Sequence, residues 1–511
     1  MELELQQEHF ACYHASTQLC DTHEETLETI VPDYCPDIAR IVDASGCLFL
    51  RKYELTDGKV SVSGSIKMTL LYMAEDGIRS LDYAIPLDYT LEERLSGASE
   101  VMLEGKVDSC EVRMLNPRKV FSRISVKVCV TPYAPATITA CGDVVEKEKY
   151  KVETLSETHE VSLIQAVREK DFVFSEEVVL SSAKEPIRDI LRAKSKLRVT
   201  ECKSVGSKLI LKGIACLDML YLTQGGTLAQ LSSELPFSQI IDGPDDGGGE
   251  LSCDASLRLT SCEIRIGSEN APDDAHTVSI KLMISSFVLL RKTQKICCIA
   301  DLYSTAYDLN AKSEQVQLSP CPETFVRTQT VREQIETGVA VQSILCADVS
   351  FGSAALVQSD AGSSTLRTSA LIKVLYLDES GSPLLAERRV EVTLDTDVPA
   401  ALGALVRCVC AGDVSASISA NGIEVRFPTE FTLISSVAPC YPCLMALSAE
   451  QRKEPEGETP SLVLRMLKRG ESLWNLAKQY RTTVDEILKA NELTEEAAAA
   501  IGQMLLIPRK R

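Results

Sequence analysis

The residues of this chain best able to do chemistry are histidines and cysteines near its N-terminus. His9, Cys12, His14, Cys20 and His23 fall within residues 9–23, and imidazole and thiolate are ligands that zinc prefers. Their spacing fits no closed four-ligand pattern. We therefore expect no metal site, and interpret residues 1–30 as a polar, solvated segment that precedes the first domain.

Catalytic constellations are not evident elsewhere. The chain has five histidines, and no acid-base pair or nucleophile elbow stands out. Cys440 and Cys443 have the C-x-x-C spacing, but no second pair accompanies them. The glycine run at 247–249 lacks the Gly-Lys-Ser/Thr ending of a phosphate-binding loop and has acidic neighbours. We expect a protein that is not an enzyme and needs no cofactor.

Three stretches that resemble one another organise most of the chain. Each alternates apolar residues, closes on a Leu-Tyr pair and runs into a polar turn, which is typical of a strand entering a hairpin. They are residues 62–72, 211–221 and 366–376. The closing tyrosines, Tyr72, Tyr221 and Tyr376, lie 221 − 72 = 149 and 376 − 221 = 155 residues apart. This is the period of a whole domain, and it is too long for a solenoid repeat.

Two further blocks recur in the same order. Residues 109–113 match 261–265 at an offset of 262 − 110 = 152 between Cys110 and Cys262. Upstream of each strand lies a segment with apolar residues at helical spacing, which predicts a short helix opening each module. These segments are residues 31–44, 185–193 and, without the proline, 338–347. Duplication is clear for the first two modules and fainter for the third.

The totals fit a multidomain protein of 511 residues. The formal net charge of −20 disfavours binding to nucleic acid or to an anionic membrane. The N-terminus lacks the features of a signal peptide, and no apolar run is long enough to span a membrane. Cysteines at alternating positions of strand-like runs, among them Cys110, Cys129, Cys216 and Cys262, are interpreted as buried thiols in a reducing cytosol.

Polar turns between short apolar runs predict a mainly β fold: three repeated antiparallel modules, sandwich or barrel-like, followed by a small α+β domain. The predicted boundaries are a polar segment 1–30, module one 31–145, a connecting segment 146–184, module two 185–310, module three 335–445, a flexible linker 446–461 and a βααβ domain 462–509.

The last of these domains has a recognisable element order. Residues 462–468 predict a strand, and Ser472 can cap a helix that carries Leu473 and Leu476 on one face. Thr483 opens a capping box for a second helix, which ends near Asn491, and residues 504–508 predict a closing strand. With the Lys468–Trp474 and Ile501–Pro508 motifs, this order closely resembles a LysM domain.

LysM domains generally bind N-acetylglucosamine-containing glycans such as peptidoglycan in a groove between two loops. The resemblance places one wall at Gly470, Glu471, Ser472, Leu473 and Trp474, and the other near Asn491, Ala500, Ile501 and Gly502. The loop 494–500 offers few groups that could hydrogen-bond to a sugar. We therefore expect a protein ligand, with a glycan as the alternative.

Trp474 is the single tryptophan of the chain. It is either a core aromatic of a small domain or an interface anchor, since tryptophan is enriched among binding hot spots. Our hypothesis from the sequence is that Trp474 and Leu473 dock a hydrophobic patch of the partner.

Together, the repeated modules, the Val31–Ile38 motif and the C-terminal LysM domain resemble the SipL-like family of clostridial spore-coat morphogenetic proteins. The resemblance implies a non-enzymatic scaffold in the mother-cell cytosol at the forespore surface. It also implies that the LysM domain docks on a coat ATPase of the stage IV sporulation protein A type. The alternative is a cell-wall protein that holds peptidoglycan.

Overall fold

The computed structural model describes residues 1–91, 93, 95, 97–244, 251–268, 270–317, 324–358, 364–398, 405–434, 440–452, 460–493 and 502–509. Strands dominate these residues, all the pairings between named strands are antiparallel, and both helices lie near the C-terminus. The predicted mainly β fold with a small α+β domain at its end is confirmed. Neither helix is long and apolar enough to cross a membrane.

The strands fall into three repeats, which we define as residues 1–144, 152–304 and 307–451. Repeat 1 contains β1 (Glu2–Leu3), β2 (Leu5–Ala15), β3 (Leu19–Ile30), β4 (Arg40–Thr56), β5 (Lys59–Ala74), β6 (Gly77–Thr90), β7 (Glu100–Asn116) and β8 (Lys119–Val144). Repeat 2 contains β9 (Val152–Val179), β10 (Ile187–Val205), β11 (Lys208–Thr223), β12 (Leu228–Asp242), β13 (Leu251–Ile266) and β14 (Thr277–Ser304).

Repeat 3 contains β15 (Tyr307–Gln317), β16 (Thr324–Glu336), β17 (Val341–Phe351), β18 (Ala355–Gln358), β19 (Ser364–Asp378), β20 (Pro383–Thr396), β21 (Leu405–Cys410), β22 (Ser415–Ser419), β23 (Gly422–Ile434) and β24 (Cys440–Gln451). The C-terminal domain contains β25 (Leu462–Met466), α1 (Leu473–Tyr480), α2 (Val484–Ala490) and β26 (Met504–Pro508).

Each predicted anchor stretch forms the central strand of a meander. β5 pairs with β4 and β6, β11 with β10 and β12, and β19 with β17 and β20. The meander packs on long strands of the same repeat to form a two-layer sandwich. In repeat 1, Ile66 and Met68 of β5 share a core with Ile124, Val126 and Val128 of β8. Burial of such alternating apolar faces is the main force that holds a sandwich together.

The first thirty residues differ from the expected solvated segment. β2 and β3 pair with successive halves of β8, from Leu5 opposite Val144 to Ile30 opposite Lys119. β9 does the same for β14 as one continuous strand of 28 residues. Residues 1–30 therefore belong to repeat 1, and most of the segment 146–184 that we expected to be a connection is a strand of repeat 2.

Among the N-terminal histidines and cysteines, His9 and Cys20 contact residues of the paired strand β8. Cys20 lies opposite Cys129 and forms a disulfide with it, so Cys129 is not the free thiol that we expected. Cys110, Cys216 and Cys262 are free and partly buried. His23 hydrogen-bonds Glu25. Within the described residues, no group of three or more His, Cys, Asp or Glu side chains is arranged to hold a metal ion.

The short helices predicted at the start of each module are absent from the described residues. Residues 40–44, 187–193 and 341–347 lie in strands, and each strand has an irregularity at the same place. The register shifts between Ile41 and Asp43, between Ile190 and Arg192, and between Ile344 and Cys346. A bulge inserts an extra residue and breaks the two-residue alternation, so the apolar pattern imitates that of a helix.

These bulges bring the three repeats together. Asp43, Arg192 and Cys346 follow equivalent isoleucines, which pair with Tyr72, Tyr221 and Tyr376. Arg192 Nη1 lies 2.7 Å from Asp43 Oδ2, and Arg192 Nη2 donates to Cys346 Sγ at 2.9 Å. Leu71, Leu220 and Leu375, again equivalent, share one buried cluster around them. The three modules thus pack on one another about a common centre, to which each contributes the same position.

The chain also closes on itself. β1 pairs with β24, with Glu2 opposite Ser448, so that the first repeat contacts the third. The N-terminal ammonium of Met1 donates to the carbonyl of Ala449 at 2.9 Å. Each repeat therefore contacts the other two.

Candidate functional site

The C-terminal domain has the β-α-α-β order expected from the sequence, and its helices begin at the predicted caps. Ser472 Oγ accepts from the backbone N–H of Asn475 at 3.1 Å, and Thr483 Oγ1 accepts from that of Glu486 at 3.2 Å. These side chains satisfy amide donors that would otherwise lack a partner in the first turn.

The first predicted wall of the groove is a tight turn whose polar groups are used internally. Gly470 has a φ of 86°, which favours glycine. The Glu471 carboxylate accepts from Arg465 Nη2 at 2.6 Å and from the backbone N–H of Lys468 at 3.1 Å. Because Ser472 caps α1, both polar side chains of this wall already have partners inside the domain.

Trp474 and Leu473 pack inward, toward a core shared with repeat 2. This core includes Leu476, Ile487 and Tyr303 of β14. The Trp474 ring meets that of Tyr303 edge to face at 4.9 Å between centroids. Its indole Nε1 donates to Asp301 Oδ2 at 2.8 Å. The Trp474 ring is thus a core aromatic of the small domain that also packs at the contact with repeat 2.

Further contacts surround the tryptophan. Lys478 of α1 pairs with Asp301 Oδ1, and Arg481 Nη2 lies 3.0 Å from Asp308 Oδ1 of β15. The Tyr303 hydroxyl donates to the Thr482 carbonyl at 2.8 Å in a buried position. Burial by itself would raise the pKa of Asp301, but hydrogen bonds from Lys478 and Trp474 outweigh it and lower that pKa. The domain is thus docked on the end of β14 through a buried tyrosine, a half-buried tryptophan and partly exposed ion pairs.

The second predicted wall is only partly described. The Asn491 amide is used inside the domain: Nδ2 donates to the carbonyls of Ile487 and Leu506, each at 2.7 Å, and Oδ1 accepts from Leu506 N–H at 2.7 Å. It fastens α2 to β26, and both of its N–H donors are taken. Gly502 is exposed with a φ of 87°. Ala500 and Ile501 lie outside the described residues.

An exposed apolar face of this domain was not anticipated from the sequence. β25 and β26 pair with Leu462 opposite Pro508, Leu464 opposite Leu506 and Met466 opposite Met504. Opposed residues of an antiparallel pair lie on one face. Leu462, Leu464, Met466 and Met504 are 51–64% exposed, whereas Leu505 and Ile507 on the other face are buried. We call Leu462, Leu464, Met466, Met504, Leu506 and Pro508 the outer sheet face.

The fold and this site define a class of protein: a β-rich body of three repeats that carries a LysM domain. The LysM domain model matches residues 466–508. The SipL, SPOCS domain model matches residues 37–115 and 186–266, which cover β4–β7 and β10–β13 with their connections. These matches are those of a SipL-like protein with a C-terminal LysM domain. No curated protein and no solved structure matches the chain.

The third repeat is not matched by the SPOCS model, yet it has the same meander and the same bulge. Its divergence in sequence, already visible in the fainter anchor stretch, has not altered this topology. The domain composition is that of a sporulation protein with a domain of the wall-binding type.

Proposed function

We propose that this protein is a non-enzymatic scaffold for spore coat assembly, located at the forespore surface in the mother cell. In this proposal its LysM domain docks on a coat ATPase of the stage IV sporulation protein A type. The SPOCS and LysM matches support the sporulation role. The observation that carries the docking proposal is the outer sheet face of the LysM domain.

The outer sheet face suits a protein ligand. Isolated exposed apolar side chains are normal on a protein surface, but a contiguous apolar patch commonly marks an interaction site. Leu462, Leu464 and Met466 occupy alternate positions of one strand, and Met504 extends the patch across the sheet. Flat apolar surface without polar groups offers a glycan few hydrogen bonds, while it offers a protein partner burial energy.

The groove itself supports a glycan less well. Glu471, Ser472 and Asn491 all have their polar atoms engaged in holding turns, caps and strands together. A sugar would have to compete with these hydrogen bonds, of which those of Glu471 and Asn491 are partly buried and cost free energy to break. The Trp474 side chain already packs on Tyr303 and donates to Asp301. We therefore propose that the partner contacts the outer sheet face, and not Trp474 and Leu473 as the sequence first suggested.

A capture experiment with the full chain tests this function. The double variant Leu464→Glu/Met504→Glu places two charges on the outer sheet face without touching the buried side of the sheet. Val326→Glu, at a similarly exposed valine of repeat 3, is the matched control. We expect the purified coat ATPase to capture the wild type and the control, and to lose the double variant. Sedimentation of each protein with peptidoglycan is measured in parallel.

Two outcomes would overturn the proposal. If the double variant is captured as well as the wild type, the outer sheet face is not the docking surface. If the wild type sediments with peptidoglycan and is not captured by the ATPase, the wall-binding alternative takes its place.

A further inference from the structure

The loop between β3 and β4, residues 31–38, has a tightly determined shape. Val31 and Ile38 are buried and close one end of the repeat 1 core against Leu70 and Tyr72. Between them the chain turns sharply, with Cys35 N–H donating to the carbonyl of Pro32 at 2.9 Å. The ends of the loop therefore have a clear structural role.

One arginine holds the interior of the loop. Arg118 Nη1 donates to the Cys35 carbonyl at 2.7 Å, and Nη2 donates to the Val31 carbonyl at 3.0 Å. The same guanidinium contacts the carboxylates of Asp37 at 3.1 Å and Asp33 at 3.2 Å. A planar fork of five donors can satisfy several acceptors at once in this way, and it fixes their relative positions.

The hydroxyl of the anchor tyrosine adds a further tie. Tyr72 Oη donates to the Pro36 carbonyl at 3.3 Å, and burial raises the pKa of Tyr72 to about 12, so the hydroxyl remains a donor. Two prolines, Pro32 and Pro36, restrict the backbone on either side of the turn. The loop is preorganised before it meets any ligand.

Repeat 2 has the same loop without these additions. Lys184 N–H donates to the Ser181 carbonyl as Cys35 does to Pro32, at the same distance of 2.9 Å. The flanking bonds also correspond: Leu180 N–H to His276 O replaces Val31 N–H to Arg118 O, and Ile187 N–H to Ala275 O replaces Ile38 N–H to Pro117 O. His276 thus stands where repeat 1 has Arg118, and Ala183 stands where repeat 1 has Tyr34.

The comparison of the two loops singles out Tyr34 as a residue that the fold does not require. The loop of repeat 2 keeps its backbone hydrogen bonds with an alanine at the tip, so the fold does not require an aromatic there. In repeat 1 the tip carries Tyr34, which is 86% exposed and lies in the same loop as the exposed carboxylates of Asp33 and Asp37. An aromatic side chain so exposed contributes little to its own domain, whereas a tyrosine on a preorganised loop is typical of a binding hot spot.

We propose that the loop 31–38 is a docking element that inserts Tyr34 into a pocket of a protein partner whose rim carries lysine or arginine. The carboxylates of Asp33 and Asp37, which Arg118 neutralises only in part, would face that rim, and with the net charge of −20 they disfavour nucleic acid and anionic lipid as ligands. The element lies on repeat 1 and is independent of the LysM domain, so it gives the scaffold a second contact. Two contacts on one chain raise the effective concentration of each.

Photo-crosslinking in sporulating cells tests the site with the full chain. Benzoylphenylalanine is placed at position 34 and, as the matched control, at position 183 of the equivalent loop in repeat 2. We expect position 34 to give adducts with one protein, mapped to a lysine- or arginine-bearing surface, and position 183 to give none. The adduct should persist in the Leu464→Glu/Met504→Glu background, which separates this contact from the LysM proposal.

The protein that crosslinks to position 34 is then purified, and its affinity for the full chain is measured as the quantitative test. Tyr34→Ala copies the alanine of repeat 2 and should fold normally, while weakening binding about 30-fold, as expected for a hot spot. Arg118→His should weaken binding through loss of loop order, and Tyr34→Phe should retain most of the affinity. The proposal is overturned if Tyr34→Ala binds as the wild type does, if positions 34 and 183 crosslink alike, or if adducts join only copies of this chain.

Discussion

Arg192 of the second repeat and Asp43 of the first form a buried ion pair, with 2.7 Å between Nη1 and Oδ2, at equivalent positions of two copies of one module. Asp43 is 3% exposed, and its other oxygen lies 2.9 Å from Lys373 Nζ of the third repeat. One carboxylate thus joins three modules. This equivalent position has diverged to aspartate, arginine and cysteine in the three repeats. Their side chains bond to one another where the repeats meet.

Removal of this carboxylate should destabilise the body strongly. Asp43→Ala leaves Arg192 and Lys373 buried or half-buried without their counter-charge, and breaking such a pair costs about 3 to 5 kcal/mol. We expect the urea midpoint followed by far-UV circular dichroism to fall accordingly. Asp397→Ala, which breaks an exposed pair with Arg327, is the control and should leave the midpoint unchanged. Equal midpoints for Asp43→Ala and the wild type would show that these charges do not hold the repeats together.

Deletion of residues 1–30 should prevent folding of repeat 1. β2 and β3 cover both halves of β8, and their loss would leave unpaired edges and the apolar residues around Ile124 and Val128 open to water. We expect the shortened chain to aggregate, as judged by soluble yield and size-exclusion chromatography. A chain ending at Gln451, without the LysM domain, should remain soluble; equal behaviour of the two truncations would contradict this.

Much of this fold could be predicted because its signals are local. The anchor strands with Tyr72, Tyr221 and Tyr376, their hairpin turns and the caps Ser472 and Thr483 all depend on neighbouring residues. The N-terminal strands could not be recognised in this way. β3 carries Glu24, Glu25 and Glu28 in a polar sequence, and it becomes a strand through its pairing with β8, about a hundred residues away.

In the candidate site, too, local features could be predicted and long-range contacts could not. The LysM elements and the importance of Trp474 could be predicted, but its partners Asp301 and Tyr303 lie more than 170 residues away and no local pattern indicates them. The outer sheet face did have a signal: Leu462, Leu464 and Met466 are apolar and occupy alternate positions of the strand, although Val463 on the opposite face already packs against the core. A row of apolar residues on the face of a strand that the core does not use indicates an interaction surface.

Release of the LysM domain should be visible in its fluorescence, because Trp474 is the only tryptophan. Asp301→Ala removes the acceptor for both the indole and Lys478, so we expect the domain to leave Tyr303 and the emission to shift to the red. Asp308→Ala, which breaks only the peripheral pair with Arg481, should shift it less. An unchanged spectrum for Asp301→Ala would mean that the apolar contact alone keeps the domain docked.

Acid should release the domain through the same carboxylate. The pKa of Asp301 is lowered in the docked state, so its ionised form stabilises docking at every pH above the ordinary aspartate value of about 3.9. That contribution is lost as the pH falls through the lowered pKa, because protonation removes the charge that faces Lys478 and Trp474. We expect the emission to stay constant from pH 7 to about 4 and to shift to the red below it.

The Asp301→Asn variant should lack this transition, and far-UV circular dichroism should show the β body still folded where the shift begins. A shift that begins above pH 5, or one retained in Asp301→Asn, would assign the release to another group.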